Sequence, residues 1–398
     1  MIERLLSEAA NRALNVLAAL LFPRRSRPQA RRVLVFRSGF IGDIIVAIPA
    51  LRHIRRNGRQ ASIWLLTLGR GDGASMAGQL LRGTGLCDCV LELDPRVRSR
   101  CYQDVRALRR QIQGFRPERV VVLPYSGESF IQLARKLLLL RTLGAAVRPE
   151  GCRFDAATWL ALRGRRGPEV IKHQAATALE AAGAPGVPDP SDHGCQLPEY
   201  PEERLALGQI LRQQDLPGDA PWLLVAPSAK FPHKRWPVER FAEVINRARR
   251  QWQLHPVLVG GPEDRPVAER LGSLLEGTST NLCGRLELRQ TAELARRAAA
   301  FLGNDGDPAH IAAAARLPSV VVCPGIHYPG VWEPWSESSV VVRAAVTCQG
   351  CRSEFSCPTA TMQCLRQIAP EDVAGPLEEI LGSVLNAQLA CRAGGGRA

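Results

Sequence analysis

Twice in this chain an unbroken apolar strand runs into a polar turn and then straight into a helix, and that repeat leaves few folds open. The first copy is Arg32–Phe36, the glycine turn Arg37-Ser38-Gly39-Phe40-Ile41-Gly42-Asp43, and a helix over residues 44–56 bent by Pro49. The second copy is a strand over 222–226, the loop Pro227-Ser228-Ala229-Lys230-Phe231-Pro232-His233-Lys234-Arg235-Trp236-Pro237, and a helix over 238–250. Further strand signals follow each copy, at 62–66, 90–93 and 119–124, then at 256–259, 298–302 and 319–323, with helices over 105–114 and 130–146 between. Continuous apolar runs of this kind suit parallel strands covered on both faces. Pro and Gly cluster over 183–201, and Leu216-Pro217-Gly218-Asp219 closes that region. At 398 residues the chain can hold two cores. We therefore expect an α/β protein with two Rossmann-like domains facing a cleft, over 32–205 and 206–398, preceded by a helix and basic linker over 1–31.

The strand at 298–302 ends in Gly303-Asn304-Asp305-Gly306-Asp307-Pro308-Ala309-His310, which opens an alanine-rich helix. Asp307 is placed to cap that helix and Pro308 to sit in its first turn, where a missing N–H costs nothing. Such a helix start suits a phosphate, through unpaired N–H groups and the positive end of the macrodipole. An ordinary capped helix has the same local pattern, so the turn alone leaves both readings open.

Composition sharpens the second loop. Arg outnumbers Lys 48 to 4, and two of the four Lys, Lys230 and Lys234, lie there beside Ser228. A Lys ammonium is a compact point charge suited to a diphosphate oxygen. Two anion-binding elements at strand ends in one domain predict a nucleotide-diphosphate site. Gly260-Gly261-Pro262-Glu263-Asp264 adds a loop in which Glu263 could take ribose hydroxyls. The absence of GxGxxG argues against a dehydrogenase.

Residues 1–23 read as an amphipathic helix with Leu5, Leu6, Ala9, Leu14, Leu17, Leu20 and Leu21 on its apolar stripe, ended by Pro23. Residues 1–60 hold twelve Arg against Glu3, Glu8 and Asp43, a surplus of nine of the net +14. That basic end suits an anionic membrane surface, although a helix packed on its own domain or on a second copy has the same pattern. Few aromatics, 5%, and no basic–aromatic interleaving argue against nucleic acid. The apolar run at 13–22 is too short to span a bilayer, and no signal peptide precedes it. We therefore expect a cytoplasmic protein with its twelve Cys mostly reduced, and attachment to the inner face of the cytoplasmic membrane as one reading of the basic helix.

Three of these stretches together resemble the ADP-heptose:lipopolysaccharide heptosyltransferase family, inverting glycosyltransferases of the two-domain GT-B fold. Val33-Leu34-Val35-Phe36-Arg37-Ser38-Gly39-Phe40-Ile41-Gly42-Asp43 is similar to the family's first strand and turn. Residues 227–236 resemble its Lys-Arg-Trp loop, and residues 304–318 its Asn-Asp-Ser/Thr-Gly-Pro-x-His helix start, in matching order and spacing. The resemblance implies a nucleotide-diphosphate sugar as donor, a lipid-linked glycan as acceptor, and a C-terminal helix over 370–389 that returns to the N-terminal domain. It implies Asp43 as general base, with Ser38, Gly39 and Gly42 forming the acceptor loop. The donor contacts it implies are Ser228, Lys230, Lys234, Glu263, Asn304, Asp305, Gly306, Asp307, Pro308 and His310, with the 306–309 backbone on the diphosphate. One position departs: Gly306-Asp307 replaces Ser/Thr-Gly, removing a hydroxyl and adding a carboxylate. Another donor, a protein acceptor, or a catalytically silent nucleotide-binding protein of the same fold would share these residues.

The implied chemistry requires no cofactor. Cys348, Cys351, Cys357 and Cys364 nevertheless form C-x2-C-x5-C-x6-C, which can close a tetrahedral Zn site or hold iron in a structural role. Similar clusters in autotransporter heptosyltransferases are associated with iron. Free thiols are the alternative, and Cys87 and Cys89 are too isolated to read.

Overall fold

A computed structural model describes residues 2–27, 29–68, 76–93, 101–164, 171–184, 194–214, 216–217, 220–353 and 356–394. Parts of the turn-rich stretches read from the sequence, residues 185–193 and 218–219, lie outside these. The chain divides into two compact units, Met1–Cys195 with Pro329–Trp332, and Gln196–Tyr328 with Glu333–Ala398.

The first unit holds four parallel strands, β1 (Arg32–Phe36), β2 (Ser62–Leu68), β3 (Cys89–Leu93) and β4 (Arg119–Val122), in the order β3-β2-β1-β4. Chain order reverses between β1 and β4, so the turns leaving these two strands open side by side at the carboxyl edge, where open α/β sheets bind ligands. The helix expected over 44–56 is two helices, Ile41–Ile45 and Ile48–Asn57, with Pro49 in the first turn of the second. Pro49 thus starts a helix rather than bending one.

The N-terminal helix, Ile2–Leu21, belongs to this unit rather than standing apart from it. Leu14, Ala18 and Phe22 are buried in one core with Leu34 and Phe36 of β1. Asn11 exchanges two hydrogen bonds with the Phe154 backbone, 2.9 and 2.8 Å, and Ser7 Oγ accepts the Ala156 N–H at 2.9 Å.

The second unit holds β5 (Trp222–Ala226), β6 (His255–Leu258), β7 (Thr280–Asn281), β8 (Ala300–Asn304), β9 (Ser319–Val322) and β10 (Ser339–Val342), all parallel, in the order β10-β9-β8-β5-β6-β7. Alternation along β5 feeds both faces. Leu223 and Val225 enter one core, while Leu224 and Ala226 enter another. Here the chain order reverses between β5 and β8.

One sequence expectation shifts. The division falls at 195/196 rather than 205/206, because the helix Pro201–Arg212 buries Leu207 and Leu211 against the second sheet. The C-terminal helix, Pro370–Gly394, packs on the helix Val238–Trp252 and on β8–β10 of its own unit, burying Val373, Ala374, Leu377 and Leu381 there.

Candidate functional site

In the first unit the turn after β1 meets the segment after β4. Phe40 starts the short helix, and Asp43, three residues on, accepts the Phe40 N–H through Oδ2 at 2.6 Å. Asp43 is therefore not the residue at which the helix starts, as a simple cap would be. Its other carboxylate oxygen lies 3.9 Å from Arg37 Nη2. Arg37 has no solvent exposure, and its guanidinium donates to the Asp43 carbonyl (3.3 Å), to the Leu123 carbonyl (3.3 Å) and to the Pro124 carbonyl (2.8 Å). It also stacks 4.2 Å over the Tyr125 ring. The buried guanidinium thus faces this carboxylate as its charge partner. The Tyr125 hydroxyl donates to the Ser38 carbonyl, and burial together with the Asp43 charge keeps that phenol protonated by raising its pKa.

Gly39 is required by this packing. Its φ is +127°, and a Cβ there would sit 2.1 Å from Asp43 Oδ2 and 2.4 Å from Tyr125 Oη. Gly39→Ala should therefore lower turnover by about tenfold to a hundredfold by displacing the carboxylate, with the protein still folded. Steady-state kinetics beside a thermal melt checks this, and unchanged kcat would show that Asp43 need not be held there.

Behind this cluster, Lys136 pairs with Glu128 in the interior and lies 5.2 Å from the Tyr125 ring centroid. Burial lowers the Lys136 pKa, and Glu128 opposes that shift. Sequence reasoning passed over Tyr125, Glu128 and Lys136. The signal was present, since Lys136 is one of only four Lys in an Arg-rich chain.

In the second unit, loops leave the carboxyl ends of β5, β6, β8 and β9 along one edge. Asn304 at the end of β8 ties two of them together. Its side chain accepts the Trp236 N–H at 2.9 Å and donates to the Pro227 carbonyl at 2.7 Å. Asn304 is 1% exposed with both polar ends engaged, so it positions the Lys loop rather than offering a ligand contact. Trp236, also buried, anchors the same loop through Nε1 to the Ile368 carbonyl at 3.1 Å.

Around these anchors lie half-buried Ser228, Lys234, Asp305, Gly306, Asp307 and Pro308, with buried His310 below. Burial lowers the His310 pKa, as does Lys234, against opposition from Asp305 and Asp307, which makes this a neutral imidazole. His310 Nδ1 and Ser228 Oγ are buried with no partner among the described residues. Orphaned polar atoms of that kind mark a place for a ligand group. His327, unremarked in the sequence, joins the cluster. Its pKa is pushed down to about 4, chiefly by burial, with Lys234, Arg343 and Arg352 adding and Asp305 opposing. The predicted contacts Lys230 and Glu263 stay exposed, Lys230 with its ammonium 5.2 Å from the Phe231 ring centroid.

The helix start differs from expectation. Gly306, with an extended φ of 171°, is the cap, Asp307 is already helical, and Pro308 follows. Pro308 has no N–H, and those of Ala309 and His310 turn back to the Gly306 carbonyl at 3.1 and 3.3 Å. Within the 306–309 backbone expected on a diphosphate, Pro308 thus offers no N–H and that of Ala309 is engaged.

The Cys348, Cys351, Cys357 and Cys364 thiols are free, and among the described residues no three Cys, His, Asp or Glu side chains converge as a metal-ligand set. Cys357 turns towards Thr359, Sγ to Oγ1 3.4 Å, while Cys364 is half-buried, its pKa raised by burial and by the other three thiols. The structure does not assemble the expected Zn or Fe site. Cys348 and Cys351 share one turn, while Cys364 lies in the helix Gln363–Arg366.

Comparison with known proteins accords with this arrangement. The model of glycosyltransferase family 9 (heptosyltransferase) matches residues 158–360, just over half the chain. The lipopolysaccharide core heptosyltransferase OpsX of Haemophilus influenzae is 29% identical over 142 residues, 35% of this chain and 40% of that protein. The match thus spans well under half of this curated relative. Among solved structures, a family 9 glycosyl transferase from Veillonella parvula superposes with a TM-score of 0.70 at 19% identity, covering 89% of this chain and 98% of that one. The Escherichia coli ADP-heptose lipopolysaccharide heptosyltransferase II does so with a TM-score of 0.64 at 20% identity, covering 88% and 99%. Both likenesses are of fold.

Proposed function

Because the chain belongs to glycosyltransferase family 9, the heptosyltransferases, we propose that it transfers a heptose from ADP-heptose to a lipopolysaccharide-core or related lipid-linked glycan, with inversion. The observation that carries this reading is Asp43, held by the Phe40 N–H on one oxygen and faced by Arg37 on the other. In the proposed step Asp43 takes the proton of an acceptor hydroxyl, and the hydroxyl oxygen bonds to the anomeric carbon as the bond to the diphosphate breaks. ADP leaves with the bonding electron pair, its growing charge met by the Lys234 ammonium and the Ser228 hydroxyl. Asp305, His310 and His327 line the same cluster and would orient the sugar or a phosphate. No cofactor enters this displacement.

Calorimetric titration with ADP, UDP, GDP and CMP tests the donor. ADP should bind at least about tenfold more tightly than the others, the discrimination one base-specific contact supplies, and transfer from ADP-heptose should follow. A preference for another nucleotide would refute the heptose donor, with Gly306-Asp307 as the first position to examine. No nucleotide binding at all would refute the transferase reading.

A further inference from the structure

The N-terminal helix carries two apolar stripes, and the unit's core uses only one of them. Leu14, Leu17, Ala18 and Leu21 pack inward. Leu5, Ala9, Ala13, Val16 and Leu20 recur at spacings of three and four, which aligns them in a second stripe beside the first, with Leu6 at its edge. Leu5 is 57% exposed, Leu6 48%, Val16 59% and Leu20 79%. The helix Phe130–Thr142, which packs against the N-terminal helix, adds Ile131 at 61% and Leu138 at 50%. These six supply most of the large exposed hydrophobics among the described residues, and a concentration of that kind marks a surface with a partner.

The charges indicate which partner. Arg12 borders the stripe, Arg24, Arg25 and Arg27 follow the helix, and Arg135 and Arg141 lie on the neighbouring helix, all exposed. The helix's acids, Glu3 and Glu8, fall outside the stripe, and Glu8 is paired with Arg4 at 3.0 Å. A second copy docking on this face would bring two sets of arginines together. An anionic bilayer would instead accept the leucines at the acyl boundary and the arginines at the phosphates. No described helix is long and apolar enough to cross a membrane. We propose that the outward stripe of the N-terminal helix, with Ile131 and Leu138, docks in the plane of an anionic phospholipid surface.

This surface serves the acceptor side of the reaction proposed above, but its test needs no sugar nucleotide and stands or falls separately. The full chain is mixed with phosphatidylcholine vesicles, with and without phosphatidylglycerol, and floated on a density gradient. The protein should float with the phosphatidylglycerol vesicles, less so as salt rises, and remain below with phosphatidylcholine alone. The double variant Val16→Glu, Leu20→Glu should lose at least about tenfold in vesicle affinity with an unchanged thermal melt, because both side chains face outward. Three outcomes overturn the proposal: no flotation of the parent protein, equal flotation of the double variant, or a dimer in solution that the double variant converts to monomer. The last would assign the stripe to a second copy.

Discussion

Asp43→Asn should lower kcat by roughly 10²–10⁴-fold, the range over which a positioned general base acts, and leave ADP affinity unchanged. The amide keeps the size of the carboxylate and an oxygen for the Phe40 N–H, so the turn has no reason to rearrange. What it lacks is a basic site for the acceptor proton. The donor cluster belongs to the other unit, so its nucleotide affinity serves as an internal control. Single-turnover transfer measured beside calorimetry separates the two effects. A variant that turns over normally would remove Asp43 from the mechanism, whereas one that loses ADP binding as well would point to unfolding.

Lys234→Ala should reduce kcat/KM by roughly 10²–10³-fold, the loss expected when one preorganised donor to developing charge is removed. ADP affinity should fall by roughly ten- to a hundredfold, as for a single charge-assisted hydrogen bond. Lys234 is half-buried, and its charge reaches His310, His327 and Cys323, so it acts from inside the cluster. Lys230 is the natural comparison, being exposed and in the same loop, and Lys230→Ala should change either quantity by less than about threefold, in line with the small worth of exposed charges. Equal losses in the two variants would mean that the loop contributes only diffuse positive charge.

Much of the fold was legible because it is local. Arg32–Phe36 and Trp222–Ala226 emerge as strands at the bounds their apolar runs suggest, and the loop bearing both lysines follows the second of them directly. Motif order was legible for the same reason, since each turn sits next to its own strand in sequence. The helix start at Gly306 was placed one residue late. Asp is an excellent cap by type, yet here the extended glycine provides the break and Asp307 is already helical.

The rest depended on contacts between residues far apart in the chain. Neither sheet order could be read along the sequence, so nothing there says that the turn after β1 opens beside the segment after β4, or that β8 lies next to β5. The adjacency of β1 and β4 converts Arg37 from one arginine among 48 into the buried partner of Asp43, and that of β5 and β8 turns Asn304 from a candidate ligand into the tie between two loops. The two terminal helices follow the same logic. Periodicity shows the apolar face of the N-terminal helix, but what covers a helix face is decided in space. For Pro370–Gly394 it is the second unit's own core, and for the N-terminal helix the first unit's core covers one stripe and leaves the other in solvent. The sequence by itself thus determined the elements and the chemical types available, because these follow from neighbours along the chain. Tertiary structure decided which of those groups meet, because strand order and helix packing bring together side chains that no local pattern connects.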